Sequence, residues 1–202
     1  MIKIGIVGDI GSGKSYVAKQ FGFPVFNADN EVKKIYKKNR KCFKKLKATF
    51  PRYIFSFPIK KKELSNVVFE NKNNVKKINK IIHPEVRLKM KKFLKKNRNK
   101  VAVVLDIPLL LEGRIYKKRD VLVFVQAKKK DIHKKLKKRY NFNSKIIKKL
   151  KNLQLPLEIK KRKSNFIIKN NFRSKSIKKN VKILKNKILN NLFFFLHQQK
   201  QE

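Results

Sequence analysis

Acidic residues are scarce in this chain: 12 Asp and Glu face 57 Lys and Arg across 202 residues, a formal net charge of +45. Where lysine occupies most dispensable surface positions, each remaining carboxylate becomes a candidate for a place fixed by chemistry or structure. Cysteine is scarcer still, and the single Cys42 excludes a disulfide framework and fits a reducing cytosol. No stretch approaches the roughly 18 apolar residues of a membrane span; the most apolar run, Leu192-Phe193-Phe194-Phe195-Leu196, is far too short. The chain opens directly on a strand and loop, leaving no room for a secretory signal, so a cytoplasmic location is expected. Glycine is rare as well, with 6 in all, yet Gly5, Gly8, Gly11 and Gly13 fall within the first 13 residues. Background composition does not produce that cluster.

The excess of positive charge, taken alone, suggests a nucleic-acid binder, because a basic surface gains affinity by releasing counterions from phosphates. Its distribution argues otherwise. Lysines recur as pairs and triplets along nearly the whole length, as at Lys33-Lys34, Lys60-Lys61-Lys62 and Lys128-Lys129-Lys130, rather than gathering in a tail or alternating with stacking aromatics. A compositional bias toward Lys, Asn and Ile accounts for this, and nucleic acid is not an expected partner. The field nonetheless speeds capture of polyphosphorylated small molecules and makes their binding salt-sensitive.

What the chain does contain is Gly8-Asp9-Ile10-Gly11-Ser12-Gly13-Lys14-Ser15 directly after the apolar run Ile2-Lys3-Ile4-Gly5-Ile6-Val7. This is the pattern G-x-x-x-x-G-K-[ST] in its required context, between a buried strand and a helix. The helix is predicted to start near residue 13, since Ser15 to Phe21 carries apolar residues at helical spacing. A triphosphate must be held without a wall of bulky side chains. Glycines permit the tight concave turn that points backbone N–H groups at the β-phosphate. Lys14 supplies a cation for the β/γ-phosphates, Ser15 offers a hydroxyl to Mg²⁺, and the helix start aims its positive end at the same anion. The expected nucleotide contacts are Asp9, Ile10, Gly11, Ser12, Gly13, Lys14, Ser15 and Tyr16, with ATP and Mg²⁺ as the implied cofactors.

Further along, Pro24 to Asp29 reads as a short strand ending in a polar corner, with a helix beginning over Glu31 to Tyr36. A helical, Lys/Asn-rich stretch follows to about residue 100, broken by turn signals at Pro51 and Pro58. Val101 to Asp106 is a continuous β-branched run closing on an acid, as in a central parallel strand. Val121 to Val125 and Asn165 to Ile168 are the next strands, separated by a basic helix from about Asp131 to Arg139, and a last helix spans about 174–191. Strands alternating with helices imply an α/β fold, a three-layer parallel sheet with right-handed crossovers. Ligands of such sheets bind at the carboxyl ends of the strands. The phosphate loop, Asp29 and Asp106 are all expected at that edge. No internal repeat is evident, and residues 191–202 are expected to fray.

Several segments taken together resemble dephospho-coenzyme A kinases. The phosphate loop matches the family's G-G-I-G-S-G-K-S except at Asp9, and Asn27-Ala28-Asp29 is similar to its D-A-D. His83-Pro84-Glu85-Val86-Arg87 is similar to H-P-x-[VI]-R, and Asp106-Ile107-Pro108-Leu109-Leu110-Leu111-Glu112 to D-[IV]-P-L-L-x-E. Gln154 to Arg162 resembles Q-x-P-x-x-x-K-R with one extra residue, and Ser164 to Asn170 parallels A-D-x-V-I-D-N. The match covers about residues 1–190. The resemblance implies a P-loop core (1–29, 101–125 and 163–190) with a helical coenzyme A-binding lobe over about 30–100 and a lid over about 126–160. It also implies ATP-dependent phosphorylation of the ribose 3′-hydroxyl of dephospho-coenzyme A, the last step of coenzyme A synthesis, with a monomer as the expected state.

Carried over by position, Lys14, Asp29 and Arg139 become the catalytic candidates: Lys14 as phosphate cation, Asp29 as base for the hydroxyl, Arg139 as a lid clamp. Asp29, His83, Arg87, Asp106 and Glu112 become substrate contacts, with Ser15, and Asp106 through water, holding Mg²⁺. Plainer roles stand beside these. As less favoured alternatives, Asp29 could cap the following helix and Asp106 stabilise a loop, while Glu112 is evenly divided between a substrate contact and a salt bridge; Pro84 suggests a helix start, and Arg139 is one of three adjacent cations. Asn27 removes one family carboxylate, and Asp9 puts a negative charge beside a triphosphate, its side chain expected to point away. Another small-molecule P-loop kinase of the nucleotide kinase group, and a basic P-loop protein acting on RNA or DNA, are the competing readings.

Overall fold

The computed structural model describes residues 1–71, 73–138, 147, 151–152 and 154–198, with the backbone alone described over 191–198. Arg139, expected in the lid, lies outside the described residues. The strands are β1 (Ile2–Gly8), β2 (Val25–Asn27), β3 (Ala102–Asp106), β4 (Val121–Gln126) and β5 (Phe166–Lys169). Among the described residues the helices are α1 (Lys14–Gln20), α2 (Ala28–Lys38), α3 (Arg40–Thr49), α4 (Lys61–Glu70), α5 (Asn74–Lys96), α6 (Lys129–Lys137), α7 (Leu157–Arg162) and α8 (Ser174–Gln198). The last helix extends beyond the expected residue 191.

The strands form one sheet ordered β2-β3-β1-β4-β5. β1 is central and parallel to both neighbours, with Ile4 opposite Val104 on one side and Val121 on the other; β4 pairs in parallel with β5. Both faces of the sheet are covered, which is why its central strands read as unbroken apolar runs rather than alternating ones. On one face Ile2, Ile4 and Ile6 pack with Val104, Val123 and Val125 beneath Val17, Ala18 and Phe21 and the α8 residues Ile177, Val181, Leu184 and Ile188. The spacing of those four α8 positions keeps them on one stripe of the helix. On the other face Leu110 packs onto Gly5 beside Leu122. This is the three-layer α/β architecture expected from the sequence.

The chain divides into two compact units, one of Met1–Phe26 with Asn99–Glu202, the other Asn27–Arg98. The first holds the sheet. The second is helical, built on α2 to α5 around Ile35, Cys42, Leu46, Phe50, Ile54, Val67, Ile78 and Ile82. Within it the buried carboxylate of Glu63 accepts from the backbone N–H groups of Phe55 and Ser56 and from the Ser56 hydroxyl, fixing the turn before α4.

Two local expectations are corrected. The strand after α1 stops at Asn27, because Asn27 is the N-cap of α2: its Oδ1 accepts from Asn30 N at 2.8 Å. Asp29 therefore lies in the first turn of the helix rather than capping it, and its charge suits the positive end there. Pro84 does not begin a helix but sits inside α5. A proline there removes one backbone hydrogen bond, and the buried Ile78 and Ile82 hold the helix against the core of its unit.

Glu63→Ala strands the N–H groups of Phe55 and Ser56, and is expected to lower unfolding free energy by about 1–3 kcal/mol. Urea titration against the exposed Lys62→Ala, expected to stay within about 0.5 kcal/mol of wild type, measures this.

Candidate active site

The loop from Gly8 to Ser15 leaves the carboxyl end of the central strand and enters α1 at once. Gly13 is the N-cap of α1, at φ 86°, a conformation that strains any residue with a Cβ. A Cβ there would also lie 2.3 Å from Asn170 Nδ2. That closeness is functional, since Asn170 Nδ2 donates to Ser12 O at 2.7 Å while its Oδ1 accepts from Phe172 N at 2.8 Å. Asn170, almost fully buried in the β5–α8 connection, therefore braces the loop from behind. From the side, α6 approaches Gly11 so closely that a Cβ would meet Leu136 at 2.9 Å and Ile132 at 3.1 Å.

Inside this frame Ser12 N donates to Asp9 O at 3.2 Å and closes the turn. Lys14 folds back, its Nζ donating to Asp9 O at 2.7 Å and to Gly8 O at 3.2 Å, so the ammonium lies along the loop. Ser15 is exposed, whereas Ser12 is fully buried, and its Oγ has no hydrogen-bond partner among the described residues. At the start of α1 Tyr16 N donates to Gly13 O at 3.1 Å, the tight bond that often closes a first helical turn. Glycine-shaped backbone, a helix start, an ammonium and an open hydroxyl fit a polyphosphate chemically. Tyr16 turns its hydroxyl to Ser174 Oγ, 2.6 Å away at the start of α8.

Asp9, whose side chain is expected to point away from the phosphates, is buried and engaged with the protein through both carboxylate oxygens. Its Oδ1 accepts from Ile10 N at 2.7 Å, and its Oδ2 lies 3.2 Å from Lys151 Nζ. Asp106 ends β3, beside β1, and is almost fully buried. Glu112, for which a substrate contact and a salt bridge were both open, makes the salt bridge: Lys160 Nζ is 2.9 Å from Oε1, which also accepts from Leu155 N at 2.8 Å. Lys160 Nζ in turn donates to Gln154 Oε1 at 2.8 Å. Burial alone would raise the Glu112 pKa, but the Lys160 hydrogen bond, the backbone donors and the Lys160 charge outweigh it and hold the carboxyl below its ordinary value.

The family profile for dephospho-CoA kinase matches residues 2–176. The chain belongs to the dephospho-CoA kinase family. It is 34% identical over 173 residues to the dephospho-CoA kinase of Fusobacterium nucleatum, covering 83% of this chain and 89% of that one. It is 31% identical over 170 residues to the enzyme of Wolbachia sp. subsp. Brugia malayi, covering 82% and 87%. The crystal structure of a Thermus thermophilus protein superposes with a TM-score of 0.74 at 26% identity, covering 93% of this chain and 96% of that one.

The sheet unit contains the whole phosphate loop, Asp106 on the strand beside β1, and Glu112, which is tied to Lys160 and Leu155. The other family positions belong to the helical unit. There Asp29 is exposed in the first turn of α2, and His83 and Arg87 lie one turn apart, both exposed, on α5. Partial desolvation, and then the Arg87 guanidinium, push the His83 imidazole below its ordinary value. Four residues given no role by sequence reasoning emerge as supports: Asn170, Gln154, Lys160 and Lys151. The first three sat in segments already matched to the family, which was the available signal. Lys151 carried none, being one lysine among many.

Lys160→Met leaves the Glu112 carboxylate poorly paired in a site where its side chain is only 14% exposed, and is expected to destabilise by about 3–5 kcal/mol. The sign with pH follows from the lowered Glu112 pKa. Its contribution is present above the ordinary value of 4.5 and disappears as pH falls through the lower folded value. Unfolding curves from pH 3 to 7 should show this acid limb in wild type and a smaller one in Lys160→Met.

Proposed function

We propose that this protein transfers the γ-phosphoryl group of ATP to the ribose 3′-hydroxyl of dephospho-coenzyme A, yielding coenzyme A and ADP in the last step of coenzyme A biosynthesis. The observation that carries the reading is the dephospho-CoA kinase match over residues 2–176, with the phosphate loop folded within it. ATP as donor follows from the family. The new bond joins O3′ to the γ-phosphorus, the bond from that phosphorus to the β–γ bridging oxygen breaks, and the hydroxyl proton goes to Asp29.

Phosphoryl transfer asks a protein chiefly for positioning and charge neutralisation. Lys14 is assigned to the charge developing on the transferring group, with the N–H groups of the loop and of the α1 start holding the neighbouring phosphate. Ser15 and Asp106, both oxygen donors, are assigned to Mg²⁺, which when bound neutralises phosphate charge. Among the described residues no group of three or more His, Cys, Asp or Glu is arranged for a metal. That suits an ion held by a few protein oxygens together with phosphate and water.

The helical unit is assigned as the coenzyme A-binding lobe, and residues 126–160 as the lid, with Arg139 as its clamp. Of the two α5 candidates Arg87 carries the charge at neutral pH, because the lowered pKa of His83 leaves its imidazole neutral. Glu112, already bonded to Lys160 and Leu155, is assigned to holding the lid's connection to α7. No described helix is long and apolar enough to cross a membrane. A monomer working in the cytoplasm completes the reading.

A coupled assay of ADP release should show dephospho-coenzyme A preferred over a panel of nucleoside monophosphates; the reverse preference would replace this reading with that of a nucleotide kinase. Lys14→Ala is expected to abolish turnover. Asp29→Asn should cut kcat by about 10²–10⁴ with little change in KM, the usual contribution of a general base. A loss of less than about threefold would take that role from Asp29. EDTA should stop the reaction and Mg²⁺ restore it.

A further inference from the structure

We propose that Asp9 seats Lys151 as a second phosphate-directed cation at the mouth of the loop, so that Lys151 contacts the nucleotide phosphates and Asp9 is its positioning residue. The inference rests on reading Gly8 to Ser15 as the ATP site, and it concerns a residue pair rather than the reaction.

Asp9 gathers three donors. Its main-chain oxygen takes Lys14 Nζ at 2.7 Å, its Oδ1 takes Ile10 N at 2.7 Å, and its Oδ2 takes Lys151 Nζ at 3.2 Å. One residue of the loop thus holds two ammonium groups, one through its carbonyl and one through its carboxylate. The two ends of the ion pair differ in exposure: the Asp9 side chain is 10% exposed and that of Lys151 47%. A carboxylate so enclosed does not readily give up its counterion, because an unpaired buried charge is costly. An incoming phosphate is therefore not expected to strip Lys151 away. It meets an ammonium anchored at one N–H, with three such donors in all.

The charges agree. Asp9 and Lys151 cancel, so the net charge at the loop is that of Lys14 alone, and what the pair adds is an ammonium held in a fixed place. A charged hydrogen bond of this kind is worth about 1.5–3 kcal/mol, or roughly a tenfold to hundredfold change in dissociation constant. The opposite arrangement would be a self-inhibiting one. The Asp9 carboxylate takes a backbone N–H and an ammonium, as a phosphate oxygen does, and could compete with it. The two arrangements predict opposite signs for removal of Asp9.

The test uses the full chain with Mg²⁺ and ATP, measuring nucleotide binding by calorimetry and turnover separately. Lys151→Ala and Asp9→Gly should each weaken ATP binding by about tenfold or more, with kcat changed far less. The double variant should be no worse than either single one, since both remove one coupled contact. Lys151→Arg should keep most of the affinity. Thermal melts establish that each variant is folded, and Lys151→Ala, at a half-exposed position, carries the test if Asp9→Gly does not fold. Tighter binding by Asp9→Gly, additive losses in the double variant, or unchanged binding by Lys151→Ala would each overturn the proposal while leaving the kinase reading intact. Wild-type protein that binds no ATP would instead remove the kinase reading, and this inference with it.

Discussion

A loop that binds phosphate must surround a space that none of its own side chains fills, so its shape has to be imposed from outside. Here the imposition comes from two directions. Asn170 grips Ser12 O from the β5–α8 connection, and Ile132 and Leu136 of α6 close against Gly11; within the loop, Lys14 folds back onto the carbonyls of Gly8 and Asp9. The parallel sheet makes this possible by delivering β1, β4 and β5 to one edge in register, with Gly8 opposite Val125 and Val125 opposite Ile168. Packing of α1 and α8 on the sheet then fixes the helix that receives the loop. Glycine at positions 11 and 13 is the complement of those supports, not a source of looseness.

Much of this was legible because the signals were local. The apolar run of β1, the glycine cluster and the helical spacing after Lys14 lie within about twenty residues, and each demands the others. The both-faces-buried strands β3 and β4 read just as directly. What was not legible depended on partners far off in sequence or on competition between nearby groups. Asn170 and Ser12 are 158 positions apart, and nothing in either stretch announces the other. At the α2 start two residues were chemically able to cap, and the backbone chose Asn27, leaving Asp29 within the first turn. Pro84 was misleading because local propensity gave way to burial of Ile78 and Ile82 in the helical core.

Several of the scarce carboxylates hold structural positions. Asp9, Glu63, Asp106 and Asp120 are buried. Glu63 ties down a turn, Asp120 accepts from Lys117 N at 2.8 Å, and Glu112 is locked to Lys160. Scarcity of acids therefore marks structural positions as readily as chemical ones, and burial separates Asp9, Glu63, Asp106 and Asp120 from Asp29, which is exposed at a helix start.

Drawing those acids inward has a consequence for the molecule as a colloid. With four acidic residues buried among those described, and 57 lysines and arginines against 12 acids in the chain, positive charge dominates the surface. Such a chain is a polyelectrolyte. Its counterion cloud belongs to its thermodynamics as much as its core does, because dilution of salt lengthens the range over which like charges push on one another. Two copies approaching in thin electrolyte repel before their surfaces meet, and the same cloud, rich in small anions, is the medium through which any phosphate must enter.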